Sequence, residues 1–334
     1  MRDVCNVTPI IVGKVMGYKP RLSALRGLGS QMVVANHAMG PALNMFGATV
    51  GVVASSYLAG EGHILGGLGV ALFLSLSIFL LMGSLDSHPR QLRHYFYRRI
   101  KRIWPLYFGA CVVTWLLIGS SLQILALNLT FAAVWFPGAS YNVLWTLQIE
   151  EAAYVFFPLI AMLSPNHRVL TAAGMIVTGL LFSMFALLAP GASWVFSQAY
   201  FTPFPWMACY GVGLLAYQRP DLFTSYRWGL PALGLLGLWS FSLLSEIGLE
   251  LVMILPLIGL VLVRPPSFLK WVGWVAIGEI SYALYLTHYL SIQFLGLLGI
   301  PFAYGVAATL EVPMRYKEIR QRLFPKTEPA PGLS

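Results

Sequence analysis

Apolar windows of membrane-crossing length follow one another along this chain, separated by short segments carrying Pro, Gly, Asn or charge. Ten windows are read, at 22–42, 64–83, 103–122, 143–163, 168–189, 203–218, 228–245, 248–264, 271–291 and 293–312. They predict an all-α, polytopic membrane bundle of about ten helices. The sixth is short and opens at Pro203 and Pro205, and Pro256 inside the eighth predicts a kink. The stretch 122–142 is apolar from Leu122 to Trp135 but interrupted by Asn128 and Pro137, which suits a re-entrant or interfacial piece. The expected layout is a cytoplasmic segment at 1–20, a membrane domain at 21–312, and a basic, then Pro-rich tail at 313–334.

Composition agrees with that pattern. Of 334 residues 58% are hydrophobic and 10% charged, whereas a soluble domain carries roughly 25% charge. The net charge of +9 would suggest nucleic acid in a soluble protein, but its placement excludes that reading here. Lys and Arg fall near the N-terminus, at 90–102, at 168, at 219 and 227, at 264 and 270, and from 315 onward; Arg168 and Arg264 are terminal residues of their windows, and only Arg26 lies inside one. The intervening segments 43–63, 123–142, 190–202 and 246–247 have none. By the positive-inside rule both termini and the 84–102 loop are cytoplasmic, which requires an even number of spans. Cys5, Cys111 and Cys209 form neither a metal-binding spacing nor a disulfide framework, so no metal is expected. The apolar run Ile10–Val12 is too short for a signal-peptide core.

Polar residues inside the windows supply the candidate chemistry. Arg26 and His37 are eleven residues apart, so at about 100° per residue they share a helix face about 16 Å apart along the axis. A charge in a span is costly and usually faces a bundle interior or wet cavity; the alternatives are a snorkelling Arg and a hydrogen-bonded core His. The segment Asp86–Arg102 packs Arg90, Arg93, Arg98, Arg99, Lys101 and Arg102 among Tyr95, Phe96 and Tyr97. It serves as an orientation signal, a patch for anionic lipid, or a dock for a phosphate-rich cofactor.

The fourth window opens with Trp145 at expected interface height, with Glu150 about 7 Å deeper and Tyr154 one turn below on the same face. Glu150 and Glu151 point about 100° apart, so one is expected at a cation or in chemistry and the other against a neighbouring helix. In the ninth window Ser281, Tyr285 and His288 form a polar stripe, beside Tyr282 and above Glu279. Such a stripe also serves as helix–helix glue. By depth, Arg26, Arg99, Arg102 and Glu279 form an inner layer, and His37, Glu150, Glu151 and His288 an outer one.

These segments resemble the acyltransferase-3 family of integral membrane acyltransferases. The likeness is carried by Leu25-Arg26-Gly27 with its spacing to His37, by Gly69–Leu80, and by Arg98–Tyr107. Leu144–Glu151 and the Ile280-Ser281-Tyr282…Tyr285-Leu286…His288 run complete it, in order from about residue 20 to 312. The resemblance implies ten helices and transfer of an acyl group, usually acetyl from acetyl-CoA, to a hydroxyl of a glycan, lipid-linked glycan or other extracytoplasmic acceptor. It implies His37 as catalytic residue, Arg26 essential beside it and Glu150 in the site, in a multi-pass protein of a bacterial cytoplasmic membrane.

On that basis Arg98, Arg99 and Arg102 are expected to bind the nucleotide end of the donor, with His37 as base, oriented by Glu150. Trp145, Glu151, Tyr154, Ser281, Tyr282, Tyr285 and His288 are expected around the acceptor. The chain departs from the family pattern at Ser23-Ala24 (usually Asp-Gly), Ala71 (usually an acid), Ile78 (usually Gly) and Ala152-Ala153 (usually Gln-Phe). It ends soon after the tenth window, so no appended esterase-like domain is expected. The rival readings are a transporter or flippase for a glycan-lipid or small anion, disfavoured by the absence of paired interrupted helices, and a lipid-binding structural protein.

Overall fold

The computed structural model describes residues 19–45, 63–88, 91–136, 138–188, 202–225 and 247–323. Among them are α-helices, short 3-10 turns and no strand. The helices are α1 (Lys19–Met45), α2 (His63–Ser87), α3 (Leu92–Ile118), α4 (Leu122–Leu129), α5 (Trp145–Ala161) and α6 (Pro165–Leu188). They continue with α7 (Pro203–Gln218), α8 (Pro220–Ser225), α9 (Ile247–Val263), α10 (Val272–Leu295) and α11 (Gly299–Leu323). Three stretches, Leu65–Ser87, Leu92–Ile118 and Val272–Pro313, are long and apolar enough to cross a membrane. The window 228–245 and the segment 1–18 lie outside the described residues.

The boundaries of α3 and α11 differ from the sequence reading. The basic stretch expected as a loop to residue 102 is helical from Leu92, so its arginines are sorted by helical phase onto opposite faces. At its far end α3 stops where Gly119 adopts φ +72° and its N–H bonds the Trp115 carbonyl, a left-handed cap that suits glycine. The tenth window continues through Pro313 to Leu323.

The ambiguous 122–142 stretch folds back on itself around one amide. Ser121 caps the short α4 by accepting from the Ile124 N–H. Asn128, fully buried, donates to the carbonyls of Ile124 and Ala139. It accepts from the Tyr141 N–H and from the Gln148 amide, and its own carbonyl receives the Tyr107 hydroxyl. Gln148 in turn accepts the Val134 N–H. Every polar group of Asn128 is thereby used, and the segment is tied to α3 and α5.

The bundle is ordered by close contacts at small residues. α1 lies between α2 and α10; α2 packs on α7, α7 on α6 and α9, and α10 on α11. A Cβ built at Gly278 would stand 1.8 Å from the Ser23 carbonyl oxygen, and one at Gly27 would stand 2.7 Å from the Trp274 carbonyl oxygen. α1 and α10 therefore cross backbone to backbone. Lipid offers no hydrophobic drive between helices, so such small-residue contacts carry their association. Beside this crossing the Ser23 hydroxyl donates to the buried Glu279 carboxylate. At the opposite corner, Arg168 donates at 2.9 Å to both oxygens of Asp86, which also receives the Tyr217 hydroxyl. The same guanidinium bonds the carbonyls of Leu163 and Ala161, joining the ends of α2, α5, α6 and α7.

Candidate active site

The α1–α10 crossing sets Arg26, one turn past Ser23, opposite Ser281 and Tyr282, one turn past Gly278. Between them and the faces of α2, α3 and α5 is a cavity of about 70 Å³. Its polar lining is Arg26, Ser77, Arg99, Arg102, Thr146, Glu150, Tyr154, Ser281, Tyr282 and Tyr285; Val70, Phe73, Leu74, Ile103 and Leu147 complete it. Five helices, remote in sequence, supply these residues.

Glu150 is the carboxylate that enters the cavity. It accepts hydrogen bonds from the Ser77 hydroxyl on α2 and from the Tyr154 hydroxyl one turn along its own helix. Above Tyr154 lies the Arg99 guanidinium, 4.5 Å from the ring centroid, with the Tyr95 ring at 5.8 Å. A guanidinium held on aromatic faces is stabilised by the ring quadrupoles, and its in-plane N–H groups remain directed elsewhere. No protein hydrogen bond to Arg99 occurs among the described residues. The Tyr282 hydroxyl donates to the Ile103 carbonyl at 2.7 Å, and the Thr146 and Tyr285 hydroxyls lie 2.8 Å apart, so α3 and α5 are both pinned to α10.

His37 stands outside this lining. Its ring is 5.2 Å from that of His288 and edge-on to Tyr289 at 5.0 Å. Tyr285 joins the two places: it lines the cavity, and its ring is 5.6 Å from His288. Going up α10, the order is therefore cavity, Tyr285, His288, with His37 beside the last.

The geometry redistributes the residues expected from sequence. Arg26, Arg99, Arg102, Glu150, Tyr154, Ser281, Tyr282 and Tyr285 come together. Glu150 sits with the arginines and not in a separate outer layer, and the partners seen for it are Ser77 and Tyr154 rather than His37. Arg98 is exposed and does not line the cavity; it stands about 100° around α3 from Arg99. Glu151, 100° around from Glu150, faces Trp104 of α3. Trp145 is buried against Trp206, with ring centroids 5.5 Å apart.

Sequence reasoning missed Ser77, Thr146 and Glu311. Glu311, 2% exposed, accepts the Ala283 N–H. A lone acid in the apolar run of α11 was the available signal. For Ser77 and Thr146 a hydroxyl among apolar neighbours carries no such mark.

The architecture, an all-α bundle with arginines and a carboxylate meeting at its centre, is accompanied by a direct family match. The chain belongs to the acyltransferase-3 family: the family model described as "Acyltransferase domain" matches residues 19–313. It is 34% identical over 325 residues to the protein of Acidianus two-tailed virus named "Putative acetyltransferase ORF330", covering 92% of this chain and 93% of that protein. No solved structure matches.

Proposed function

We propose that this protein is a membrane O-acyltransferase that takes an acyl group, acetyl above all, from a cytosolic acyl-CoA. The group passes to a hydroxyl of an extracytoplasmic glycan or lipid-linked glycan. The observation that carries the reading is the convergence of Arg26, Arg99 and Arg102 on one small cavity closed by Glu150 and three tyrosines. Three guanidiniums at one place suit a donor with phosphates and a polarised thioester. About 70 Å³ is several times the 10–15 Å³ that one water requires on the same measure, which supports a short acyl group over a long one.

In this reading Arg102 and Arg99 attract the donor at the cytosolic end. Arg99 is held on Tyr154, which Glu150 and Ser77 fix in turn; Glu150 thus acts as the anchor of the arginine seat. Arg26 lies on the donor's path through the cavity, and His37, beyond Tyr285, removes the proton of the acceptor hydroxyl as that oxygen attacks the acyl carbon. The carbon–sulfur bond breaks, and the departing thiolate takes up a proton.

The test uses membrane vesicles of the source cell supplied with radiolabelled acetyl-CoA, with label followed into extracted glycan and lipid. His37→Ala should abolish incorporation at unchanged protein abundance. Arg99→Gln should raise KM for acetyl-CoA at least about tenfold, the loss of one charge-assisted contact. CoA should raise the Tm of the detergent-purified protein. Full activity of His37→Ala, or no CoA-linked stabilisation, would refute the reading.

A further inference from the structure

Glu150 Oε1 is taken up by Ser77 and Tyr154, and the ring that stands beside His37 is that of His288. His288 is completely buried, and its Nδ1 lies 2.8 Å from the Tyr285 carbonyl oxygen and 3.2 Å from that of Leu284. Carbonyls only accept, so Nδ1 carries the hydrogen. In the neutral ring Nε2 is then a bare acceptor. That atom is buried and has no hydrogen-bond partner among the described residues. Buried acceptors are rarely left so, and a role in catalysis is one of the physical reasons for one.

We propose that His288 is the positioning residue for His37. Its Nε2 receives the N–H of the His37 ring, which selects the His37 tautomer whose other nitrogen carries the lone pair that takes the hydroxyl proton. At 5.2 Å between centroids, imidazole nitrogens turned toward each other lie about 3 Å apart, an ordinary hydrogen bond. His37 is partly exposed and His288 is not, so His37 is the ring that can meet an acceptor. The edge of Tyr289 against His37 limits rotation away from this arrangement. The helix carbonyls of α10 thus do for His288 what a buried carboxylate does in other paired sites: they fix a ring that fixes the catalytic ring. When the hydroxyl proton passes to the free nitrogen of His37, the positive charge that forms is shared across the His37–His288 hydrogen bond. The proton then leaves with the thiol. The inference rests on His37 acting as the base.

The substitutions His288→Asn and His288→Gln separate the two nitrogens of the ring. Asn retains a donor at the Nδ1 position but no acceptor at Nε2; Gln places an amide near Nε2. With radiolabelled acetyl-CoA and source-cell vesicles, His288→Asn should lose about a hundredfold in kcat with KM for acetyl-CoA within about twofold of the original. His288→Gln should lose about tenfold in kcat, again at constant KM. In a His37→Ala background neither should lower the residual rate further, because a positioning residue has nothing left to position. The inference is overturned if Asn keeps kcat within about threefold, if Gln is as inactive as Asn, or if KM changes in step with kcat. Should the Asn variant fail to accumulate, His288→Gln decides alone: an unchanged kcat, or a raised KM, overturns the proposal. An active His37→Ala protein sinks the base assignment itself. An inactive His37→Ala with fully active His288 variants sinks only the pairing.

Discussion

Replacing Gly278 by Ala tests whether the α1–α10 crossing builds the site. The new methyl would stand 1.8 Å from the Ser23 carbonyl oxygen and 2.4 Å from its carbon. Real Cβ contacts essentially never fall below 3.0 Å, so the helices must part by roughly 1 Å at this point, or α10 must rotate. Both atoms are backbone, and no flexible side chain can give way. Overpacking of this kind costs about 1–3 kcal/mol, against a gain of about 0.5–1 kcal/mol from removing a helical glycine, so the net effect is a loss of stability. The larger consequence falls on chemistry. Arg26 lies one turn from Ser23, and Ser281 one turn from Gly278, across the same cavity. A misplacement of about 1 Å costs on the order of a hundredfold in rate. Gly305 is the control, since a Cβ there meets nothing within 4 Å; Gly305→Ala should leave the rate alone and hold or raise Tm. The measurements are Tm in detergent and label transfer from acetyl-CoA in vesicles. A Gly278→Ala protein with the original Tm and rate would show that the crossing is not the constraint argued above.

Further outcomes are expected at three other places. Tyr154→Phe keeps the ring beneath Arg99 and loses only the hydroxyl to Glu150, whereas Tyr154→Leu removes the aromatic seat; CoA-dependent stabilisation should largely survive the first and fall sharply in the second. Asn128→Leu leaves the Tyr141 N–H, the Gln148 amide and two carbonyls without their partner, and should lower stability by about 2–4 kcal/mol in denaturant or thermal unfolding. Asp86→Asn weakens the pairing to a guanidinium that also holds two helix-end carbonyls, with side chains only 16% and 12% exposed, and should cost about 3 kcal/mol. Asp221→Asn provides the contrast. Its hydrogen bond from Arg219 holds the Asp221 carboxyl below the usual carboxylate range, so its stabilisation is present above the unfolded-state pKa and lost as pH falls through the folded one. That pair is half exposed, and its removal should change stability by less than about 0.5 kcal/mol at any pH.

The one-dimensional pattern was enough to determine most of the described helices and the charged residues of the cavity. An apolar run of about twenty residues has one low-energy form in lipid, because only a helix satisfies its own backbone. A buried Arg, Glu or His is marked by its cost. Thus α1, α2, α5, α6, α7, α9, α10 and α11 overlie expected windows, and most of the cavity lining was singled out from polarity alone. Tertiary structure alone decided which residues meet. The 3.6-residue period places Arg99 and Arg102 on one face, but it does not say that Tyr154 of α5 lies beneath Arg99. Likewise it separates Glu150 from Glu151 without assigning Ser77 to the first. The pairing of His37 with His288 follows from how closely α1 and α10 approach, and that distance is fixed at Gly27 and Gly278 by the absence of two methyl groups. Local spacing acts over one or two turns, whereas the choice of neighbour depends on backbone contact between segments some 250 residues apart.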